Sequence, residues 1–142
     1  MKRTALAALL LSPSLAFAQA GASCPTLNSA DLAWTERQGA DYTLCYLELP
    51  SAIAAGKGLG VYLGARGFKP GKDNRAEKGT VGTQQVVWYK KASGTRPFSR
   101  ETTIVLPGEK PKSKVKIYVW IDAATQGELN EAFGLAKQLA VK

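Results

Sequence analysis

The sequence contains no histidine, and this absence restricts the chemistry open to the protein. Histidine is the commonest general base near neutral pH, the usual partner of a nucleophilic serine or cysteine, and a common ligand of zinc and copper. The G-x-S-x-G motif of serine hydrolases is also absent, and the acidic residues form no D-x-D-x-D-G cluster for calcium. The sequence therefore predicts a protein that is not an enzyme and that holds no metal and no cofactor.

Cysteine is scarce, since the whole chain has only Cys24 and Cys45. Redox or metal chemistry is disfavoured because the two are not spaced as C-x-x-C and have no further sulfur partner. In an oxidising compartment, by contrast, such a pair persists as a disulfide. We therefore expect a structural Cys24–Cys45 disulfide.

The apolar run near the start of the chain is too short to span a membrane. Lys2 and Arg3 precede the apolar stretch Ala5 to Leu11, and Ala16-Phe17-Ala18 follows as a small-x-small cleavage site. A membrane-spanning helix needs ~20 apolar residues. We expect a bacterial signal peptide at residues 1–18, cleaved after Ala18, and a periplasmic or secreted protein without a membrane span. Residues 19–142 are predicted to form a single exported domain.

Acidic residues are outnumbered, because 19 lysines and arginines stand against 11 aspartates and glutamates. Loss of Lys2 and Arg3 with the leader reduces this excess without removing it. An exported basic protein meets lipid headgroups, lipopolysaccharide and acidic proteins before it meets nucleic acid. We expect an envelope protein or an anionic envelope polymer as partner, and no nucleic acid. The plainer alternative is a domain whose surface is merely basic, and the oligomeric state stays open.

Apolar and polar residues alternate most clearly over residues 114–122, where Val115, Ile117, Val119 and Ile121 share one face. Thr125-Gln-Gly-Glu128 then forms a capping box, and apolar residues follow at helical spacing. Other patterns predict strands over 41–49, 58–64, 84–91 and 100–106, a helical turn over 26–32 and a long loop over 69–83. The expected fold is α+β: an antiparallel β-sheet of four to five strands with a C-terminal amphipathic helix packed on one face.

The stretch GLGVYLGARG, residues 58–67, has the glycine content of a phosphate-binding loop but not its spacing. A dinucleotide fingerprint needs G-x-G-x-x-G between a strand and a helix, and here Leu63 occupies the third glycine position. Read as a strand, the stretch places Leu59, Val61 and Leu63 on one face and glycines around Tyr62 on the other. Such a bare strip indicates a bulge or the close approach of another group. Candidate rings are those of Trp88, Tyr118 and Trp120.

One helix cannot cover both faces of the sheet, so the second face is a candidate partner surface. We place this surface at five residues: Tyr62, Lys114, Lys116, Tyr118 and Trp120. Aromatic residues are enriched where proteins meet. The alternative is that the segment between the cysteines, which carries Trp34 and Tyr42, covers this face.

These patterns predict a non-catalytic, exported small binding or accessory protein, of the kind that includes inhibitors and immunity proteins. The alternative is a small carboxylate-dependent hydrolase of cell-wall polymer. For that alternative, a pair such as Glu48 and Glu101 would have to lie ~5–9 Å apart.

Overall fold

A computed structural model describes residues 23–28, 30–50, 58–64, 69–91, 96–108, 110 and 112–140. The signal peptide expected at residues 1–18 and its cleavage site lie outside these ranges. Seven strands and one α-helix follow in chain order: β1 (Thr35–Gln38), β2 (Tyr42–Glu48), β3 (Gly58–Gly64), β4 (Arg75–Val81), β5 (Gln84–Lys90), β6 (Arg100–Pro107), β7 (Lys114–Asp122) and α1 (Gln126–Lys137). A 3-10 turn, Lys72–Asn74, precedes β4.

All seven strands belong to one antiparallel sheet in the order β1-β2-β3-β7-β6-β5-β4. The first three strands form one meander and the last four form another. The two meanders join where β3 pairs with β7, so these two strands occupy the centre of the sheet. The α+β class and the antiparallel sheet with its C-terminal helix are thus confirmed.

The expected count of four to five strands is wrong, because the sheet has seven. The two strands that the sequence did not predict, β1 and β4, form the edges of the sheet. Every residue of β1 is exposed, and the sequence of β4, RAEKGTV, lacks apolar alternation. The pairing of β4 with β5 also shifts register between Arg75 and Lys78. Edge strands keep one side in water, so their sequences need little hydrophobic character. Residues 69–83 are therefore not the single long loop that the polarity suggested.

Alternate residues of the central strands form the core. Leu59, Val61 and Leu63 of β3 are buried, as are Ile117, Val119 and Ile121 of β7. Val115 was expected to share their environment, but 38% of its surface is exposed. The reason is that β3 pairs with β7 only as far as Lys116.

Helix α1 packs on this apolar face against β3, β4 and β7. Its N-cap is Thr125, whose hydroxyl oxygen accepts a hydrogen bond from the backbone N–H of Glu128 at 3.1 Å. Leu129, Ala132 and Ala136 are buried, and the ring of Phe133 lies 5.3 Å from that of Trp88. Among the described residues, no helix combines the length and apolarity that a membrane span requires.

The N-terminal segment is attached to the sheet by the Cys24–Cys45 disulfide, with Cα atoms 5.8 Å apart. Cys45 is fully buried in β2. Nε1 of Trp34 donates to the carbonyl oxygen of Pro25 at 2.7 Å, and Trp34 packs against the core. The expected disulfide is confirmed. Of the stretch expected as a helical turn, the described residues 26–28 and 30–32 contain no helix, and Thr26 makes an isolated β-bridge to Ala140.

Candidate functional site

The face of the sheet opposite α1 carries a group of five aromatic side chains, which we call the aromatic face. Alternation turns these residues away from the core, since their strand neighbours Cys45, Leu63 and Val119 are buried on the helix side. The registers of β2, β3 and β7 place the five close together: Tyr42, Tyr46, Tyr62, Tyr118 and Trp120.

Gly60 lies in the sheet between two residues of the aromatic face. It pairs with Tyr46 on one side and with Trp120 on the other. A Cβ atom at this position would overlap the indole of Trp120. The ring that lies on the bare strip of the GLGVYLGARG strand is therefore that of Trp120, and the strand needs glycine there because the indole occupies the space of a side chain.

The rings of the aromatic face lie nearly parallel. The centroids of Tyr46 and Trp120 are 6.2 Å apart, those of Tyr118 and Trp120 5.6 Å, with interplanar angles of 20° in both pairs. Tyr42 and Tyr62 form a second stack, with centroids 5.6 Å apart. Stacking of this kind adds about 0.5–1.5 kcal/mol per pair beyond the area that it buries.

The five residues expected to form a partner surface differ in exposure. Tyr62 and Tyr118 are buried, each with 8% of its surface exposed, because neighbouring rings cover them. Trp120 is partly exposed, as are Tyr46 and Tyr42, so the exposed part of the aromatic face extends toward β2 rather than along β7 alone. Lys116 is half-buried and Lys114 is exposed at the start of β7.

Two carboxylates fix the rings of β7. The hydroxyl of Tyr118 donates to Oε2 of Glu101 at 2.6 Å, and Nε1 of Trp120 donates to Oδ2 of Asp122 at 3.1 Å. Lys91 completes this arrangement, because its Nζ lies 3.5 Å from Oδ1 of Asp122 and 5.7 Å from the centroid of the Trp120 ring. Both polar ring atoms are thus paired, and these hydrogen bonds hold the two rings in one orientation.

The phenols of Tyr46 and Tyr118 stay neutral at physiological pH. Burial is the largest cause that raises the pKa of Tyr46; Asp122 also raises it and Arg96 lowers it, and the resulting pKa is about 12. Burial, followed by the hydrogen bond to Glu101, also holds the pKa of Tyr118 well above its usual value. Both hydroxyls are therefore hydrogen-bond donors and carry no negative charge.

The two carboxylates considered for hydrolysis lie on strands that are not neighbours. Glu48 lies on β2 and Glu101 on β6, with β3 and β7 between them. Three inter-strand spacings put their Cα atoms at least about 14 Å apart. The carboxylate nearest to Glu101 along β7 is Asp122, its diagonal neighbour in the sheet. Each of these two carboxylates accepts a hydrogen bond from an aromatic side chain, Glu101 from Tyr118 and Asp122 from Trp120.

Other parts of the described chain offer less chemistry. Their cysteine, aspartate and glutamate residues include no group of three or more that could hold a metal ion. A shallow cleft of about 560 Å³ lies on the surface of the β4–β5 pair and is lined by Lys78, Gly79, Thr80, Gln85, Val86 and Val87. This lining contains one charged side chain, Lys78, and no carboxylate.

A buried arginine on β6, opposite Ile121 of β7, was not predicted from the sequence. Arg100 has 7% of its surface exposed. Its Nε donates to Oε1 of Glu77 at 2.6 Å and its Nη1 to the carbonyl oxygen of Ser99 at 3.0 Å. It lies on the helix side of the sheet, so it supports the fold and does not contribute to the aromatic face.

Sequence reasoning missed Tyr46, Glu101, Asp122 and Lys91 as members of the site. Alternation along β2 does place Tyr42 and Tyr46 on one face, so the sequence indicates that these two rings share a side of their own strand. The strand order that brings β2 beside the bare side of β3 is not encoded in any local pattern. No protein-family model, no curated protein and no solved structure matches this chain.

Proposed function

We propose that this protein is a non-catalytic binding or accessory protein of the bacterial envelope, exported to the periplasm, and that it holds a protein partner on the aromatic face. Inhibitors and immunity proteins act in this way. One observation carries the proposal: Tyr46 and Trp120 stack over Gly60 and remain partly exposed. Large aromatic residues with a polar atom are enriched among the residues that dominate protein–protein affinity.

The fixed orientation of these rings supports binding. Trp120 is held by Asp122 and Lys91, and Tyr118 by Glu101. A surface that is ordered before binding loses little side-chain entropy when the partner arrives. The same contacts weigh against the hydrolase alternative, because a catalytic acid or base must be able to reach its substrate.

The disulfide supports the export part of the proposal. Such bonds persist in oxidising compartments and are rare in the cytosol. Cys24–Cys45 joins the N-terminal segment to a buried position of β2, which is a structural use of the bond.

The test is affinity capture of a partner from envelope extracts by the chain starting at Gln19. Trp120→Ala should lose the captured protein, and Trp120→Phe, which keeps a ring over Gly60, should retain part of it. Val115→Thr is the matched control, because Val115 lies on the same strand but on the opposite face. A direct titration of the identified partner should then give an affinity at least ~30-fold weaker for Trp120→Ala, the range of a hot-spot residue.

Two results would overturn the proposal. One is a partner that binds Trp120→Ala as tightly as the unmodified protein. The other is hydrolysis of cell-wall polymer that disappears in Glu101→Gln or Asp122→Asn variants that still fold.

A further inference from the structure

Basic side chains border the open side of the sheet, which is the side opposite α1 that carries the aromatic face. Directly opposite residues of two paired strands share one side of a sheet. Arg37 of β1 pairs with Leu44, and Leu44 pairs with Tyr62 of the aromatic face. Arg37 is exposed and therefore places a positive charge on the open side at the β1 edge.

The β4 edge is basic on the same side. Arg75 pairs with Tyr89 of β5, and Tyr89 pairs with Glu101 of β6. Glu101 in turn pairs with Trp120 of the aromatic face. Arg75 is exposed, so a second positive charge lies on the open side, at the edge opposite Arg37.

Two lysines add to this charge. Lys78 of β4 pairs with Val87, which lies two residues before Tyr89 on β5 and so on the same side. Lys116 lies two residues before Tyr118 on β7 and is also on the open side. Lys78 is exposed and Lys116 is half-buried.

The carboxylates of the open side do not balance these cations. Glu101 and Asp122 each accept a hydrogen bond from an aromatic side chain, and Asp122 also lies 3.5 Å from Nζ of Lys91. Among the strand residues that the structure describes, the exposed carboxylate on this side is that of Glu48, two residues after Tyr46. The open side therefore carries an excess of positive charge, most of it at the two edges of the sheet.

Between its basic edges the open side is apolar. Leu44, Tyr46 and Trp120 are partly exposed. Val105 has 52% of its surface accessible and lies on this side, because it pairs with Lys116. From β1 to β4 there are six inter-strand spacings, about 29 Å measured along the sheet. A standard protein–protein interface covers about 800 Å² per partner, a patch about 28 Å across, so the open side has the size of a protein-binding surface.

We propose that the protein held on the aromatic face is acidic, with carboxylates that meet the basic edges and an apolar patch between them that meets the rings. This inference rests on the proposed function and adds the chemistry of the partner. Protein–protein interfaces commonly have an apolar centre and a polar, solvent-accessible border. Opposite charges along that border speed association and exclude partners of the wrong charge.

A second copy of this chain does not present such a surface. Two copies packed face to face are related by a twofold axis that runs either along the strands or across them. An axis along the strands lays the β1 edge of one copy on the β4 edge of the other, so Arg37 meets Arg75 and Lys78. An axis across the strands lays each edge on its own counterpart, so Arg37 meets Arg37. Both arrangements bring like charges together.

A linear polyanion matches the open side less well than an acidic protein does. Such a polymer gains affinity from a continuous row of basic groups, whereas Arg37 lies at one edge of the sheet and Arg75 and Lys78 lie at the other. Aromatic and aliphatic side chains occupy the space between them. A protein surface can place carboxylates at both edges and apolar groups at the centre.

The test begins with an envelope extract that an anion exchanger divides, at neutral pH, into a retained acidic fraction and a flow-through. The immobilised chain starting at Gln19 should capture a protein from the retained fraction alone, and Trp120→Ala should not capture it. The captured protein is identified by mass spectrometry and purified. Its association and dissociation rates are then measured against each variant at low and high salt.

Arg37→Gln with Lys78→Gln removes one charge from each edge. Association should slow by about tenfold at low salt and change little at high salt, because salt screens the attraction between surface charges. Arg37→Glu with Lys78→Glu should slow association further, since the edges then repel an acidic partner. Trp120→Ala should instead act mainly on dissociation, as most substitutions within an interface do.

Lys90→Gln with Lys137→Gln is the matched control. Both lysines are exposed, and they lie on the helix side of the sheet, Lys90 as the partner of Arg100 and Lys137 in α1. This variant loses the same charge as the edge variant, Arg37→Gln with Lys78→Gln, and its association rate should change by less than about twofold. Thermal unfolding of each variant checks that it folds.

The inference fails, while the proposed function stands, if Trp120→Ala loses the captured protein but the edge variant associates as fast as the unmodified chain at both salt concentrations. It also fails if the captured protein comes from the flow-through, or if the control variant slows as much as the edge variant. If no captured protein depends on Trp120, both proposals fail. Binding of the chain to immobilised polyphosphate, lost in the edge variant and kept in Trp120→Ala, would then identify the open side as a polyanion site.

Discussion

The rings of Tyr46 and Trp120 stack with centroids 6.2 Å apart, although their strands are not neighbours in the sheet. Strand β3 separates them, so their Cα atoms are about two inter-strand spacings, ~9.6 Å, apart. The rings can meet because β3 presents Gly60 between them and leaves the space above its backbone empty. The geometry of the aromatic face thus depends on glycine at position 60, which has no side chain.

Gly60→Ala should therefore destabilise the protein. The new Cβ would occupy the position of the Trp120 indole, and the ring would have to leave its contacts with Tyr46 and Asp122. We expect a loss of about 1–3 kcal/mol in the free energy of unfolding, the usual effect of overpacking. Urea unfolding measures the loss, and near-UV circular dichroism should show a changed environment for the tryptophan.

Gly134→Ala is the matched control for that substitution. Gly134 lies in α1, and a Cβ there would meet nothing within 4 Å. Alanine is favoured over glycine in a helix interior by about 1 kcal/mol, so this variant should be more stable than the unmodified protein. Equal stabilities for the two variants would show that Trp120 does not occupy the space above Gly60.

Tyr46 should make stability sensitive to alkaline pH. Its pKa in the folded protein is about 12, above the ordinary value of 10.0 that it regains on unfolding. The folded state therefore holds the phenolic proton more tightly. The stability linked to this group is complete below about pH 10 and is lost as pH rises from about 10 to about 12.

The measurement is absorbance at 295 nm during an alkaline titration, together with urea unfolding at pH 8 and pH 11. Tyr46→Phe should remove a component that ionises near pH 12 and leave the titration below pH 11 unchanged. It should also reduce the loss of stability between the two pH values. A component lost near pH 10 instead would contradict the burial of this hydroxyl.

The disulfide should contribute about 3 kcal/mol to stability. Its cysteines are 21 residues apart, and a crosslink of that span mainly restricts the unfolded chain. Cys24→Ala with Cys45→Ala should lower the free energy of unfolding by about that amount. Reduction of the unmodified protein is the control, because it opens the loop while leaving the buried sulfur of Cys45 in the core. A change below about 0.5 kcal/mol in both experiments would contradict this role.

The leader expected at residues 1–18 makes a prediction about the exported protein. N-terminal sequencing and intact mass of protein recovered from the periplasm should show a chain that begins at Gln19. Ala16→Leu should slow processing, because signal peptidase requires small residues at the cleavage site. Exported protein that retains Met1 would rule out this cleavage site.

Local patterns predicted much of the fold. Residues 114–122 form β7 as expected, and the capping box begins α1 at Gln126, one residue after Thr125. These predictions succeeded because alternation and capping act within a few residues. The edge strands β1 and β4 carry no such signal, since a strand that is solvated along one side does not need an apolar stripe.

The candidate site was predictable only in part. The sequence by itself determined that β3 has a bare side around Tyr62, that Tyr118 and Trp120 share a face of β7, and that two cysteines are available for one bond. Only the tertiary structure decided that Trp120 lies on Gly60, that Tyr46 meets it from β2, and that Glu101 and Asp122 hold the rings in place. The physical reason is that strand order and register are set by contacts between distant parts of the chain, whereas sequence periodicity reports only which side of its own strand each residue occupies.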